Sequence, residues 1–143
     1  MKSIKIDGSD NEILSVTLND VLYCLEEGEK KKWGLLWLDA VVVSGEKGSL
    51  IEKDSEINKS KTAWIISWKE LIKLSSQIYQ SINLLIIGDN YISNIKKYST
   101  DENMYENCGY TIELIDSSYW IIHSDDENFI KICFEKLDGV AEL

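Results

Sequence analysis

Apolar residues along the chain fall into short runs typical of buried strands and stripes at helical spacing, and both patterns meet in Tyr110–Leu137. Two apolar runs, Tyr110–Ile115 and Tyr119–His123, flank the polar triplet Asp116–Ser118, which predicts a β-hairpin. The apolar positions that follow recur at helical spacing, which predicts a helix lying on the sheet. These positions are Phe129, Ile130, Cys133 and Leu137.

Further runs predict the remaining strands. Trp33–Val43 is almost wholly apolar and ends in β-branched residues, which is typical of a central strand buried on both faces. Lys2–Ile6 alternates polar and apolar residues and predicts an edge-like strand. Shorter strands are predicted at Ile13–Val16, Ser49–Ile51, Thr62–Ile66 and Ile82–Ile87. The tryptophans in predicted strands are expected in the core: Trp33, Trp37, Trp64 and Trp120.

Helix starts are marked by capping boxes, in which a Ser or Thr side chain and a later acid bond each other's backbone amides. The pattern occurs at Ser67–Glu70 and Ser124–Glu127, and with Asp in place of Glu at Thr17–Asp20. A helix is therefore predicted after each of them. Ser44–Lys61 is predicted as a long loop, and Tyr91–Gly109 as a short helix with an exposed loop.

These segments predict a single globular domain over residues 1–143, of the α+β class or, as the alternative, the α/β class. We expect one mixed or antiparallel sheet of about five to six strands, with about two to three helices packed on it. The order strand, helix, strand over Thr62–Ile87 is compatible with a parallel crossover, although an antiparallel arrangement remains open.

The cellular setting is predicted from what the sequence does not contain. No apolar run is long enough for a secretory signal or a membrane span, so we expect a cytoplasmic protein with no membrane partner. Cys24, Cys108 and Cys133 are odd in number and widely scattered, which favours free thiols, two in the core and one in a loop.

The net charge and its distribution along the chain indicate which kind of molecule the protein could bind. The chain has 25 acidic and 15 basic residues, a net charge of −10, and every basic residue is Lys. Nucleic acid is disfavoured as a ligand, because phosphate binding depends on cation clusters and is helped by bidentate Arg. The acids are concentrated towards the two ends of the chain, and residues 99–143 hold eleven of them against two Lys. This distribution indicates a basic partner, steered by complementary charge.

Few residues have the character of a catalytic or metal-binding group. His123 is the only histidine, which excludes a multi-histidine metal site, and we expect it to pack or to meet solvent. A nucleophile pair of Cys108 and His123 has no supporting signature. Asp39, within an apolar strand, is the best candidate for a perturbed carboxylate, unless an exposed edge or a partner satisfies it. We therefore predict no enzyme activity, no metal site and no cofactor.

The C-terminal segment carries a resemblance to a known class. Tyr119–Asp126, followed by Phe129, Ile130 and Phe134, resembles the strand-to-helix ending of several small bacterial immunity proteins of contact-dependent inhibition and polymorphic toxin systems. The resemblance covers about thirty residues and carries over no individual functional residue. It implies a cytosolic antitoxin that binds the toxic domain of a cognate toxin, commonly a nuclease, and blocks it without catalysis.

A binding surface for a basic protein partner is predicted where an aromatic ring lies among acids, since such composition suits an interface. The predicted partner-binding residues are Asp101, Glu102, Tyr105, Glu106, Asp125, Asp126 and Glu127. Two alternatives remain open. One is a small-molecule-binding or enzymatic domain with a pocket near Asp39. The other is a homodimeric adaptor that pairs through Lys2–Ile6, so the chain is expected to be a monomer or a homodimer.

Overall fold

The protein folds around one antiparallel sheet, seen in a computed structural model that describes residues 2–8, 14–42 and 54–143. The strands in these ranges are β1 (Lys2–Ile6), β2 (Lys32–Val42), β3 (Trp64–Ile66), β4 (Ile78–Asp89), β5 (Tyr110–Ile115), β6 (Tyr119–Ser124) and β7 (Val140–Glu142). The α-helices there are α1 (Leu18–Leu22), α2 (Asp54–Lys59), α3 (Trp68–Gln77), α4 (Asp101–Asn107) and α5 (Glu127–Lys136). Single 3-10 turns lie at Gly28–Lys30 and Ile92–Asn94.

The predicted α+β class and single sheet are confirmed, but the described ranges hold seven strands and five helices, more than predicted. The additions are β7 and α2, which lies in the segment predicted as a loop. No strand forms at Leu14–Val16, and the other predicted positions of short strands, Ile13 and Ser49–Ile51, lie outside the described residues. Across the described ranges, no helix has the length and apolar character needed to cross a membrane.

The strand order is β3-β2-β4-β5-β6-β1-β7, and every neighbouring pair is antiparallel. Strands β3 and β4 both run antiparallel to β2, so α3 makes a parallel crossover with β2 inserted between its two strands. The strand predicted at Lys2–Ile6 forms with these bounds, but its predicted position at the edge was wrong. Strand β1 is bonded to β6 on one side and to β7 on the other, so it offers no free edge for a homodimer.

One side of the sheet, here called the buried face, is covered by α1, α3 and α5. Alternate residues of each strand point into this core, which includes Ile4, Trp33, Ile86, Ile112 and Trp120, all at most 1% exposed. The predicted stripe of α5 packs here, with Phe129, Ile130 and Cys133 buried and Leu137 partly buried. The opposite side, here called the open face, carries the residues between them.

Two of the three predicted capping boxes form. Thr17 and Asp20 cap α1, and Ser67 and Glu70 cap α3, each with reciprocal hydrogen bonds. The prediction of a capping box at Ser124–Glu127 was wrong, because Ser124 is the last residue of β6. Its hydroxyl donates to the Gly109 carbonyl at 2.7 Å. The N-cap of α5 is instead Asp126, whose carboxylate accepts the Phe129 amide at 3.0 Å.

Helix α2 lies against β2 beyond the point where the short strand β3 ends. The Asn58 side chain accepts the Leu38 amide at 2.7 Å and donates to the Leu38 carbonyl at 2.9 Å, so it takes the place of a strand partner. The Lys97 ammonium donates to the Ile57 carbonyl at 3.1 Å and also to the Ser60 carbonyl. The Asn58 contacts thus occupy the backbone groups of Leu38 on a part of the sheet edge that β3 does not cover, and Lys97 holds the end of α2 in place.

Candidate binding groove on the open face

The open face is covered only in part by the described helices. Helix α4 and the segment before it pack there on a second, smaller cluster, made of Leu36, Ile87, Ile95, Met104 and Cys108. Helix α4 is formed by the acid-rich segment itself. The side chain of its N-cap, Thr100, accepts the Asn103 amide. Met104 and Tyr105 face the sheet while the neighbouring acids face solvent, so the helix divides into a packed side and an acidic side.

An irregularity in β2 turns Trp37 onto the open face. Leu35 pairs with Ile86 but Trp37 pairs with the preceding residue, Leu85, so Leu36 is an extra residue in the strand. Strict alternation would have placed Trp37 on the buried face with Trp33 and Leu35, and a bulge of this kind re-aims a side chain. The predicted core position of Trp37 was therefore wrong, because its side chain is 45% exposed.

The other four tryptophans pack on the buried side. Trp33 and Trp120 are each 1% exposed, and Trp64 and Trp68 are half-buried against the same core. The indole of Trp33 donates to the Gly28 carbonyl at 2.8 Å, and that of Trp120 to the Val16 carbonyl at 2.9 Å. Trp37 is thus the most exposed tryptophan in the part of the chain the structure describes.

Beside Trp37 the open face forms a groove of about 390 Å³, here called the Trp37 groove. Trp37, Leu85 and Glu113 stand in one row across three adjacent strands, with Leu85 between the other two. Asn83 and Ile115 complete the lining at one end. A second depression, of about 260 Å³, adjoins the groove and shares Trp37 and Leu85 with it. Leu36, Met104 and Asp101 are among its other lining residues.

The Trp37 groove is electrostatically negative. Burial raises the pKa of the Glu113 carboxyl, and the nearby Asp101 carboxylate raises it further. No hydrogen bond or ion pair from a described residue reaches either carboxylate. The cation that lines the neighbouring depression, Lys97, already donates to carbonyls around α2. Neither carboxylate therefore forms an ion pair within the described chain.

Asp39, the predicted perturbed carboxylate, flanks this region. It is half-buried and pairs across the ladder with Asn83, which lines the Trp37 groove. It thus lies two residues beyond Trp37 on the same strand and adds a third acid to the surroundings of the groove.

His123 packs on the open face and does not form the pair with Cys108 that the sequence left open. Its ring stacks on Tyr105 with centroids 3.7 Å apart, and its Nδ1 lies 2.6 Å from the Ser3 hydroxyl. Burial lowers the pKa of this imidazole. Cys108 lies in the short connection between α4 and β5, where it is buried with its sulfur near the Asn94 carbonyl and the Tyr98 hydroxyl. Burial raises the pKa of the Cys108 thiol, which disfavours a reactive thiolate.

The predicted partner-binding residues divide between two sides of the sheet. Asp101, Glu102 and Glu106 are exposed on α4, over the open face, and Tyr105 is half-buried beneath them. Asp125, Asp126 and Glu127 stand at the start of α5, which packs on the buried face. The structure therefore groups the α4 acids with Trp37 and Glu113, two residues that the sequence did not single out for binding.

The acids at α5 line a separate cleft at the strand ends, of about 300 Å³, together with Lys31 and Asp89. The Asp126 carboxylate already has partners within the chain, because it caps α5 and accepts the Tyr110 hydroxyl at 2.5 Å. Burial and this bond raise the pKa of Tyr110. Among the described residues, no group of three or more His, Cys, Asp or Glu side chains is arranged to hold a metal ion.

Comparison of the chain with protein-family models, with curated proteins and with solved structures gives no match in any of the three. Function is therefore argued from the geometry of the open face.

Proposed function

We propose that this chain is a non-catalytic binding protein of the immunity type, which acts in the cytoplasm and neutralises a basic toxin domain, such as a nuclease, by binding it. The observation that carries the proposal is the 45% exposed Trp37, which a bulge turns onto an acidic groove. Exposed tryptophans at the centre of a recessed surface are the residues that most often dominate the free energy of protein association.

The charges around Trp37 support a basic partner. Glu113 and Asp101 form no ion pair with a described residue, and Glu102 and Glu106 extend the acidic surface along α4. Complementary charge at the rim speeds encounter with a basic protein, while a desolvated aromatic anchor slows dissociation. In this proposal the acids of α4 steer the partner and Trp37 holds it. Asp125, Asp126 and Glu127 would contact only a partner that also reaches around the strand ends.

Co-expression tests the proposal in living cells. The C-terminal domain of the protein encoded by the adjoining open reading frame is expressed with and without this chain, and growth is measured. We expect the wild-type chain to restore growth and Trp37→Ala to lose most of that protection. Phe134→Ala is the matched control, because Phe134 is 42% exposed but lies on α5, over the buried face. Failure of the wild-type chain to protect, or full protection by Trp37→Ala, would contradict the proposal.

A small-molecule site is the second candidate, because the Trp37 groove falls within the range of roughly 300–1,000 Å³ usual for ligand pockets. Asp39 stands at its border, opposite Asn83. A saturable rise in melting temperature with a small molecule, lost in Trp37→Ala, would favour this candidate, whereas a surface for a protein shows none.

A further inference from the structure

We infer that the Trp37 groove binds one arginine side chain of the partner protein, with its guanidinium between the indole of Trp37 and the carboxylate of Glu113. The inference rests on the proposed function, because it specifies which group of the basic partner enters the groove.

The spacing of the strands gives the groove the dimensions of a side-chain site. Trp37, Leu85 and Glu113 are successive members of one cross-strand row, and neighbouring strands lie about 4.8 Å apart. The Cα atoms of Trp37 and Glu113 are therefore separated by about 10 Å, with the Leu85 side chain between them. An indole on one side and a carboxylate on the other leave room for a flat group over an aliphatic base.

The chemistry of the lining favours arginine over lysine. A guanidinium is planar, stacks on an indole and can donate two parallel hydrogen bonds to one carboxylate, whereas an ammonium is more strongly hydrated and acts as a point charge. Asp101 lines the adjoining depression and adds negative charge beside that of Glu113. The methylenes of an arginine would lie along Leu85 and Ile115.

The arginine must come from another protein. The chain contains fifteen Lys and no Arg, so neither a segment of this chain nor a second copy of it can supply a guanidinium. Two lysines of the described ranges that lie near the open face also have partners of their own. Lys97 holds the carbonyls around α2, and Lys5 lies 3.4 Å from Asp7 and over the Tyr119 ring. A heterologous basic partner is thus the occupant that the charges favour.

Titration of the ¹⁵N-labelled full chain with short peptides tests the inference without the partner. The probe is acetyl-Gly-Arg-Gly-amide, and the comparison peptides carry citrulline, which is neutral and of the same shape, or lysine in place of arginine. The indole N–H signals of the tryptophans are followed, with Trp37 assigned by its loss in Trp37→Phe. Trp33 and Trp120, whose indoles bond carbonyls in the core, are internal controls.

We expect the arginine peptide to shift the Trp37 signal in a saturable way, to leave the signals of Trp33 and Trp120 in place, and to bind more tightly than the lysine peptide. Citrulline should shift nothing, and Glu113→Gln should weaken arginine binding by about tenfold, the factor that corresponds to about 1.4 kcal/mol. Equal shifts with citrulline, or an unchanged dissociation constant in Glu113→Gln, would overturn the inference.

If the peptide does not bind but Trp37→Ala still abolishes protection in cells, the arginine site is wrong and the proposed function stands. If the peptide binds but the chain does not protect cells, the arginine site stands and the proposed function is wrong.

Discussion

The two faces of the sheet are made by the same strands, yet they differ in how fully helices cover them and in whether their polar groups have partners. On the buried face, Trp120 is enclosed by helices and its indole bonds a backbone carbonyl. On the open face, Trp37 remains 45% exposed beside a half-buried carboxylate that no described cation reaches. The open face also holds Thr111, whose buried hydroxyl oxygen has no hydrogen-bond partner among the described residues.

In the proposed function, this difference separates the residues that stabilise the fold from those that bind the partner. Buried polar groups are usually satisfied, because each one left unpaired costs about 1–3 kcal/mol. The buried face follows that rule at both of its core indoles. The open face departs from it at Glu113 and Thr111, which lie two positions apart on β5. Departures of this kind concentrate where a protein meets a partner.

Truncation of a tryptophan on each face should give the largest contrast. Trp120→Ala is expected to lower the free energy of unfolding by about 4 kcal/mol, because it empties a fully packed site and leaves the Val16 carbonyl unpaired. Trp37→Ala should cost less than about 1 kcal/mol, since nearly half of its surface already meets water. Urea unfolding of both variants measures the difference. Similar losses would show that the open face is as much a part of the core as the buried face.

A methyl group added to a strand glycine on each face should give an intermediate effect. In Gly88→Ala the new Cβ would lie 2.4 Å from the Trp33 ring, which is fixed by the bond to Gly28 and by packing. In Gly34→Ala it would lie 2.4 Å from a methyl of Ile95, which stands on a connecting segment that can shift. We expect a loss of about 2–3 kcal/mol for Gly88→Ala and about 1 kcal/mol for Gly34→Ala. Thermal or urea unfolding measures the two losses in the free energy of unfolding. A larger loss for Gly34→Ala than for Gly88→Ala would show that the open face is the more tightly packed of the two.

Local pattern was enough to predict most of the strands, two capping boxes and the packed stripe of α5. Each of these depends on residues close together in sequence, so alternation or spacing reveals it. The interior position of β1 was not predictable in this way, because its partners β6 and β7 lie more than a hundred residues away. Strand β7 has three residues, too few to show a period.

The candidate site was predicted in part for the same reason. The acids of α4 and Tyr105 are adjacent in sequence and were recognised as a group. Trp37 and Glu113 become neighbours only through the pairing of β2, β4 and β5. The extra residue Leu36, which decides the side that Trp37 faces, is visible only against the register of β4. Pairing of strands distant in sequence therefore creates the groove.

The most direct test of the account is the substitution Glu113→Gln, with stability and protection measured on the same protein. The folded-state pKa of Glu113 is raised, so the native state holds this proton more tightly than the unfolded chain does. The free energy of unfolding therefore falls as pH rises from the usual range of a glutamic acid through the raised pKa, and the penalty is complete above that pKa. Glutamine removes that penalty.

We predict that Glu113→Gln unfolds at higher urea concentration than the wild type at neutral pH, by well under about 1 kcal/mol because the side chain still meets solvent. The difference should vanish at pH values below the usual range of a glutamic acid. In co-expression the same variant should protect less well, while Glu135→Gln, an exposed change on α5, should leave protection intact. A variant that gains stability and loses protection supports the separation of the two faces. One that loses stability, or protects as well as the wild type, would contradict it.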